Sequence, residues 1–534
     1  MAKTERVLKP ANDNPWYVLM TLYGEQDGEE LDEALHEENR AAWNTWAAQA
    51  SPSKRDEGID TIADLPSPDA WHTRGAQIRT LFENEFSRRN PHKTAARCPE
   101  PTGNEAIEMK DLEYPNQLCI SRFFIPRIIR CNGSLFQRRV VAQGVVFFGF
   151  TSFSGCQFRD VVTFQNSRSY QMLDFGNSDF CMGLNLQSIT CVDLALIKSR
   201  FKDTLLIADA SCSGLANMCL IKPLDGGEWN LLGFQFSAKG SAYFSSTEVK
   251  GDVDFRQADF EWNFDAVALS VSGNSDFGRA RFARDAYFSR SKLAKSVSFF
   301  KTVFIGRAYF DGVLFNATAP NVLSFQDCGF KEPATFREAQ FAGLYPDFSG
   351  ATLNENTTFT DNPANWPTAQ GGLAEANARQ AKASCAVIRH SLGKQGLPEA
   401  EHFFFRREMA FARKIGGSWE RLPYRLFGAV SDYGYSIARP ARCLFWVWFL
   451  SALTFVAFRV TGVLISDISE LLWSGALSFA NLFPVLGFHR VWFDADKLEM
   501  LSPWLKALSG AQTVVSLPLL FFLGLGLRTR FRMR

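Results

Sequence analysis

Large apolar residues recur along the middle of the chain at a step that fits neither a helix face nor a plain strand. In SDFGRARFARDAYF (275–288), phenylalanines stand at 277, 282 and 288, steps of five and then six. Phe255, Phe260, Phe264 and Leu269 are followed by Phe277, Phe282, Phe288 and Leu293. Then come Phe299, Phe304, Phe310 and Phe315, and then Phe325, Phe330, Phe336 and Phe341. Row starts differ by 22, 22 and 26, the last gap holding an insertion around Pro320. Earlier, Phe153, Phe158 and Phe164 lead to Phe175, Phe180 and Leu186, again 22 apart. An internal repeat outranks any local assignment. One bulky residue per five or six positions, four per repeat, predicts a four-sided β-helix. Each short face points one side chain at the axis, and coils stack at strand spacing. Small residues two before a Phe (Ala258, Ala280, Ala308, Ala334) also face inward, and the polar residues between face water. The predicted class is mainly β, with the solenoid over 111–361 followed by helices.

The flanks follow other rules. Residues 1–110 predict a mixed, helical cap: ENRAAWNTWAAQ (38–49) places Trp43 and Trp46 three apart on one helix face, packed inward. Residues 50–65 and 88–105 are rich in Pro, Ser and charge and predict loops. KPLDGGEW (222–229) breaks the repeat and predicts a loop excursion. Residues 371–430 predict a helical linker. Within it, EAEHFFFRREMAFARK (399–414) sets Phe404, Met409 and Phe411 against Arg406, Arg407, Arg413 and Lys414. That is a helix packed on the end of the β-helix, or one lying on a membrane surface.

Residues 439–534 predict a membrane domain. CLFWVWFLSALTFVAF with VTGVLI (443–465) is 23 residues, and ALSGAQTVVSLPLLFFLGLGL (507–527) is 21. Both are long enough to cross a bilayer. Arg439 and Arg442 precede the first span, and Arg528, Arg530, Arg532 and Arg534 follow the second. The positive-inside rule puts both flanks in the cytoplasm, which two spans satisfy and three do not. LLWSGALSFANLFPVLGF (471–488) therefore predicts a re-entrant or interfacial segment, with Asn481, Pro484 and Gly487 as candidate pore or re-entrant residues. Arg459, Asn481 and Gln512 are the intramembrane polar residues, costly in lipid unless partnered. The expected location is the inner membrane of a cell, multi-pass, with both termini cytoplasmic.

GNSDF (176–180), RQADF (256–260), NSDFGRARF (274–282), REAQF (337–341) and DFSGATL (347–353) resemble pentapeptide repeats of the Phe-centred bacterial variety. The resemblance spans about 250 residues and implies a right-handed quadrilateral β-helix; it fixes no function. The C-terminal order of span, half-helix, span resembles a two-transmembrane ion-channel pore domain over about 90 residues. NLFPVLGF (481–488) stands where a potassium filter would carry a TVGYG-like run. Some pentapeptide-repeat proteins mimic DNA and bind topoisomerase, but those are strongly acidic.

Charge and composition narrow the classes. Lys+Arg is 57 and Asp+Glu 56, so the net charge of +1 argues against nucleic acid as a partner. The 11 cysteines form no CxxC pair and predict small buried residues in a reducing compartment. The first residues, MAKTERVLKPANDN, hold no apolar signal segment. Of the six histidines (36, 72, 92, 390, 402, 489), none forms an HExxH pair, and no GxxxxGK[ST] or GxSxG motif occurs. Asp252, Asp254, Asp259 and Asp265 recur at repeat positions and predict solvated faces or turn caps. The expectation is a membrane-anchored scaffold with no catalysis and no cofactor, presenting its β-helix to an unidentified protein partner. It also allows for a homo-oligomer. The alternative is a channel-like protein with the β-helix as its cytoplasmic sensor.

Overall fold

The computed structural model describes residues 7–50, 68–92, 100–317, 322–367, 375–459, 468–493, 498 and 501–531. The readings of 51–65 as loop, of the insertion at Pro320, of VTGVLI (460–465) as the end of the first span, and of Arg532 and Arg534 lie outside these residues. The chain divides into two units, Met1–Pro367 and Thr368–Arg534.

In the first unit, parallel strands of two or three residues run from Ile107–Glu108 to Thr358–Phe359. They wind a β-solenoid of about 11 turns. Each strand pairs with one about 22 residues along, so Phe158 lies on Phe180 and Phe282 on Phe304. The step lengthens to 26 at Leu205–Leu231 and at Val297–Leu323, where four residues are added.

The phenylalanines fill the axis. Phe282 and Phe304 stack with centroids 4.9 Å apart and planes 5° from parallel, and Phe304 on Phe330 at 5.0 Å and 4°. Parallel columns run Phe255, Phe277, Phe299 and Phe325, and Phe288, Phe310 and Phe336. Phe260 stacks on Phe282, and Phe315 on Phe341. All of these rings are buried, each contributing roughly 1.5–3 kcal/mol of transfer free energy. Within one coil some rings meet edge to face, as Phe277 does with Phe288 at 86°, and others are tilted, as Phe277 is on Phe282 at 47°.

Turns recur with the same period. A residue at positive φ appears at Asn166, Asn177 and Ser188 and again at Gln257, Ala268, Arg279, Arg290 and Lys301, 11 apart in each run. Buried hydroxyls tie neighbouring coils where the small inward position is not alanine. Ser178 Oγ donates to the Phe153 carbonyl at 2.8 Å and accepts from the Cys156 N–H at 3.1 Å. Ser167 and Ser291 bridge their coils the same way. KPLDGGEW is only partly an excursion. Lys222–Pro223 keeps its strand beside Arg200–Phe201, and Trp229 returns to the axis, stacked on Phe201 at 5.3 Å.

The start of the solenoid is covered, which protects an open strand edge, and a tryptophan closes the aromatic axis at the far end. At the start, Lys9–Pro10 adds a strand beside Leu112–Glu113. The helix Glu33–Ala47 buries Trp43 over Phe123 at 5.7 Å, and Trp43 Nε1 donates to the Phe124 carbonyl at 2.8 Å. A second long helix, Pro68–Arg89, buries Ile78, Phe82 and Phe86. At the far end Trp366 stacks on Phe341 at 4.5 Å.

The second unit is helical. Glu375–Lys394 and Pro398–Ala412 form a hairpin, tied by Arg389 Nε to Glu408 Oε2 at 2.9 Å. The Phe404 and Phe411 face of the second helix is therefore packed on the helix that precedes it. The helix Ser418–Ser431 follows, and then three apolar helices: the first Ala438–Arg459, the middle Ile468–Leu482 and the last Pro503–Arg530.

Candidate functional site

The three apolar helices enclose a polar seam. Two clusters of buried side chains fix their directions. Leu444, Leu482 and Leu519 meet at one end, and Phe455, Leu477 and Leu505 at the other. The middle and last helices thus run parallel to each other and antiparallel to the first. The chain beyond Leu482 reverses at the turn Pro484–Leu486, with Gly487 at φ +71°, and passes through the short helix Phe488–Trp492. Phe493 then packs edge to face on Trp473, near the start of the middle helix, at 5.5 Å. The segment enters and leaves at the same end of the bundle.

Between the two clusters the helices meet through side-chain polar atoms. Asn481 Nδ2 donates to Gln512 Oε1 at 3.0 Å. Asn481 Oδ1 accepts from Ser509 Oγ at 2.9 Å, and its carbonyl from Thr513 and Ser516. Gln512 Nε2 donates to the Ser478 carbonyl and hydroxyl at 2.9 and 2.8 Å. The first helix joins through Trp448, whose Nε1 donates to the Gly475 carbonyl at 3.0 Å. The Trp448 carbonyl in turn accepts from Ser478 Oγ at 2.8 Å. Asn481, Ser478 and Ser516 are fully buried, and Gln512 nearly so. Ser474 is buried on the same face, its hydroxyl without a partner among the described residues.

The outward faces are the reverse. Phe445, Trp446, Leu450 and Leu453 of the first helix and Val514, Leu517 and Phe521 of the last are exposed. Both helices are long and apolar enough to cross a membrane by length and composition, yet only 17% and 22% of their apolar stretches are buried. A core helix of a water-soluble protein would hide those side chains and turn serines outward.

Of the residues singled out by sequence, Asn481 and Gln512 come together. Pro484 and Gly487 flank the chain reversal three and six residues beyond Asn481. Arg459 is the last residue of the first helix, which is 22 residues long. Ser478, Ser509, Thr513 and Ser516 were not anticipated. Their signal is spacing: Ser474, Ser478 and Asn481 step by four and three, and Ser509, Gln512 and Ser516 by three and four, each set on one helix face. The thirteen ladder phenylalanines form the solenoid axis rather than a site. The repeat carboxylates cap turns or pair: Asp254 and Asp265 accept from N–H groups two residues on at 3.0 Å. Asp252 accepts from the Asn274 N–H at 2.7 Å, and Asp259 pairs with Arg281 at 2.8 Å.

Comparison with protein-family profiles, curated proteins and solved structures returned no match.

Proposed function

We propose that the chain is a membrane-anchored, non-catalytic scaffold whose solenoid offers a rigid surface to a protein partner. The observation that carries the reading is the inverted polarity of the three apolar helices, with amides and hydroxyls joined inside and Phe, Trp and Leu outside. Lipid favours that arrangement, because nothing in the hydrocarbon can satisfy Asn481 or Gln512. The two long helices are the spans, the middle helix is re-entrant, and the arginine-rich flanks are cytoplasmic at an inner membrane.

In this reading the solenoid is a right-handed, four-sided pentapeptide-repeat β-helix. Pairing of each strand with the fourth one along supports four sides, and the usual hand of parallel crossovers supports the right-handed form. A contact patch of suitable composition lies at Trp262. It is 54% exposed, carries the Arg284 guanidinium 5.8 Å over its ring, and has exposed Ile305 nearby. Exposed Trp beside Arg is typical of interface hot spots.

The channel alternative draws less support, because the polar atoms of Asn481 are taken up by its own chain. Full-length protein reconstituted in sealed vesicles tests the choice. The scaffold predicts resistance to carbonate extraction and ion flux no greater than in protein-free vesicles. Flux that disappears in Asn481→Leu would replace the scaffold with a channel.

A further inference from the structure

The helix Ser418–Ser431 carries a feature that neither the span pattern nor the polar seam uses. Trp419, Leu422 and Leu426 recur at steps of three and four along one face. All three are exposed, Trp419 at 85%. The same face continues at its C-terminal end into protein: Val430 packs on the cluster of Leu444, Leu482 and Leu519, and Phe427 meets Phe522 of the last helix at 5.3 Å. Half of one apolar stripe is covered by the apolar bundle, and the other half runs past it uncovered.

The helix is held at that angle. Asp432, Tyr433 and Gly434 all take positive φ, which turns the chain sharply into the first apolar helix. A Cβ at Gly434 would meet Leu525 at 2.8 Å, so the corner sits tight on the last helix. Arg439 ties the two elements by donating to the Gly428 carbonyl at 2.8 Å, and Arg406 pairs with Asp432 at 3.2 Å.

Charge identifies what covers the stripe. Arg421, Arg425, Arg439 and Arg442 lie in 418–442, with Glu420 and Asp432 as the acids, and Arg528 and Arg530 end the last helix at the same end of the bundle. Asp432 is engaged by Arg406 and Arg439, and Glu420 accepts from the Gly417 N–H at 2.9 Å. Among the described residues, Arg425, Arg442, Arg528 and Arg530 are exposed and make no ion pair, whereas Arg421 turns its Nε into the protein. An exposed apolar stripe bordered by uncompensated guanidinium groups complements a bilayer surface bearing phosphate anions. Arginine suits phosphate because its planar fork binds two oxygens at once.

We infer that Ser418–Ser431 is an interfacial helix lying in the cytoplasmic headgroup layer. Trp419, Leu422 and Leu426 enter the acyl boundary, and the surrounding arginines hold anionic phospholipid headgroups. The inference rests on the membrane reading above. It adds a lipid preference that a plain hydrophobic anchor would not have.

The test uses full-length protein in vesicles of phosphatidylcholine, alone or mixed with phosphatidylglycerol. p-Benzoylphenylalanine replacing Trp419 or Leu422 is expected to photo-crosslink to lipid. The preference for spin-labelled phosphatidylglycerol, read by electron spin resonance, is expected to fall about fivefold for each arginine removed in Arg425→Gln and Arg442→Gln. Inserted, carbonate-resistant protein that gives no lipid adduct at 419 and 422, or that crosslinks there to protein, overturns the inference and leaves the membrane reading standing. Lipid adducts with an unchanged phosphatidylglycerol preference overturn the headgroup assignment. Protein that fails to insert at all overturns both readings.

Discussion

Asn481 and Gln512 join the middle and last apolar helices by a 3.0 Å hydrogen bond between two buried amides. Each amide has both its oxygen and its nitrogen engaged or facing the other, so removing one takes a partner from the other. Asn481→Leu is expected to cost about 1–2 kcal/mol of helix association in detergent or bilayer. Asn481→Leu/Gln512→Leu is expected to cost less than the sum of the single changes, because it leaves no orphaned amide. Unfolding in mixed micelles measures both; strict additivity would mean the pair is not coupled.

The Phe columns make the solenoid quasi-one-dimensional, each coil touching only its neighbours. Phe282→Ala opens a hole between Phe260 and Phe304 and is expected to destabilise by about 3–5 kcal/mol. Phe282→Leu should recover most of that loss. Hydrogen exchange should rise around 260–304 and stay unchanged at the Trp43 cap. A uniform rise along the chain would argue against the stacked-coil account.

Ser178 bridges two coils with a donated and an accepted hydrogen bond in a fully buried position. Ser178→Ala leaves the Phe153 carbonyl and the Cys156 N–H without their hydroxyl partner, a loss of about 1–3 kcal/mol by denaturant titration. A change within error would show that water replaces the hydroxyl.

Ala268 sits at φ 57°, a left-handed turn position that glycine fills at 133, 144, 155 and 312. Ala268→Gly relieves the Cβ clash at some cost in unfolded-state entropy. The net expectation is a gain of about 0.5–1 kcal/mol, seen as a higher denaturation midpoint. A loss of stability would mean that the Ala268 methyl group packs usefully.

His36 holds the Ser121 carbonyl at 3.0 Å from Nε2, and burial is the main cause that pushes its pKa below the ordinary 6.5. The unfolded chain therefore takes up the proton first. The stabilising contribution is fully present above pH 6.5 and is lost as pH falls through the lower folded value. Exchange protection of the cap around Trp43 should weaken over that acidic window, and His36→Gln should flatten the response. A pH-independent cap would contradict the assignment.

The solenoid was legible because its signal is local and redundant. One ring per face repeats through Phe277, Phe282 and Phe288 and their neighbours, so single departures do not erase it. Trp229 was not legible, since its place on Phe201 depends on a loop returning to the axis rather than on spacing. Asn481 and Gln512 stood out as polar residues in apolar sequence, but serines and threonines are ordinary there. Only the pairing of two helices shows that Ser478 and Ser509 complete the seam. The uncovered half of Ser418–Ser431 was hidden for a similar reason: one helix's pattern does not say which part of its apolar face a neighbour covers.

The most direct measurement of the anchor is the sidedness of two introduced cysteines. Val491→Cys lies beyond the re-entrant turn, and Phe531→Cys follows the last helix; both positions are exposed. In sealed vesicles, a membrane-impermeant maleimide should reach Cys at 531 only from the cytoplasmic face and Cys at 491 only from the opposite face. Labelling of both from the same face, or of Cys at 491 from the cytoplasmic face, would contradict a two-span anchor with a re-entrant middle helix.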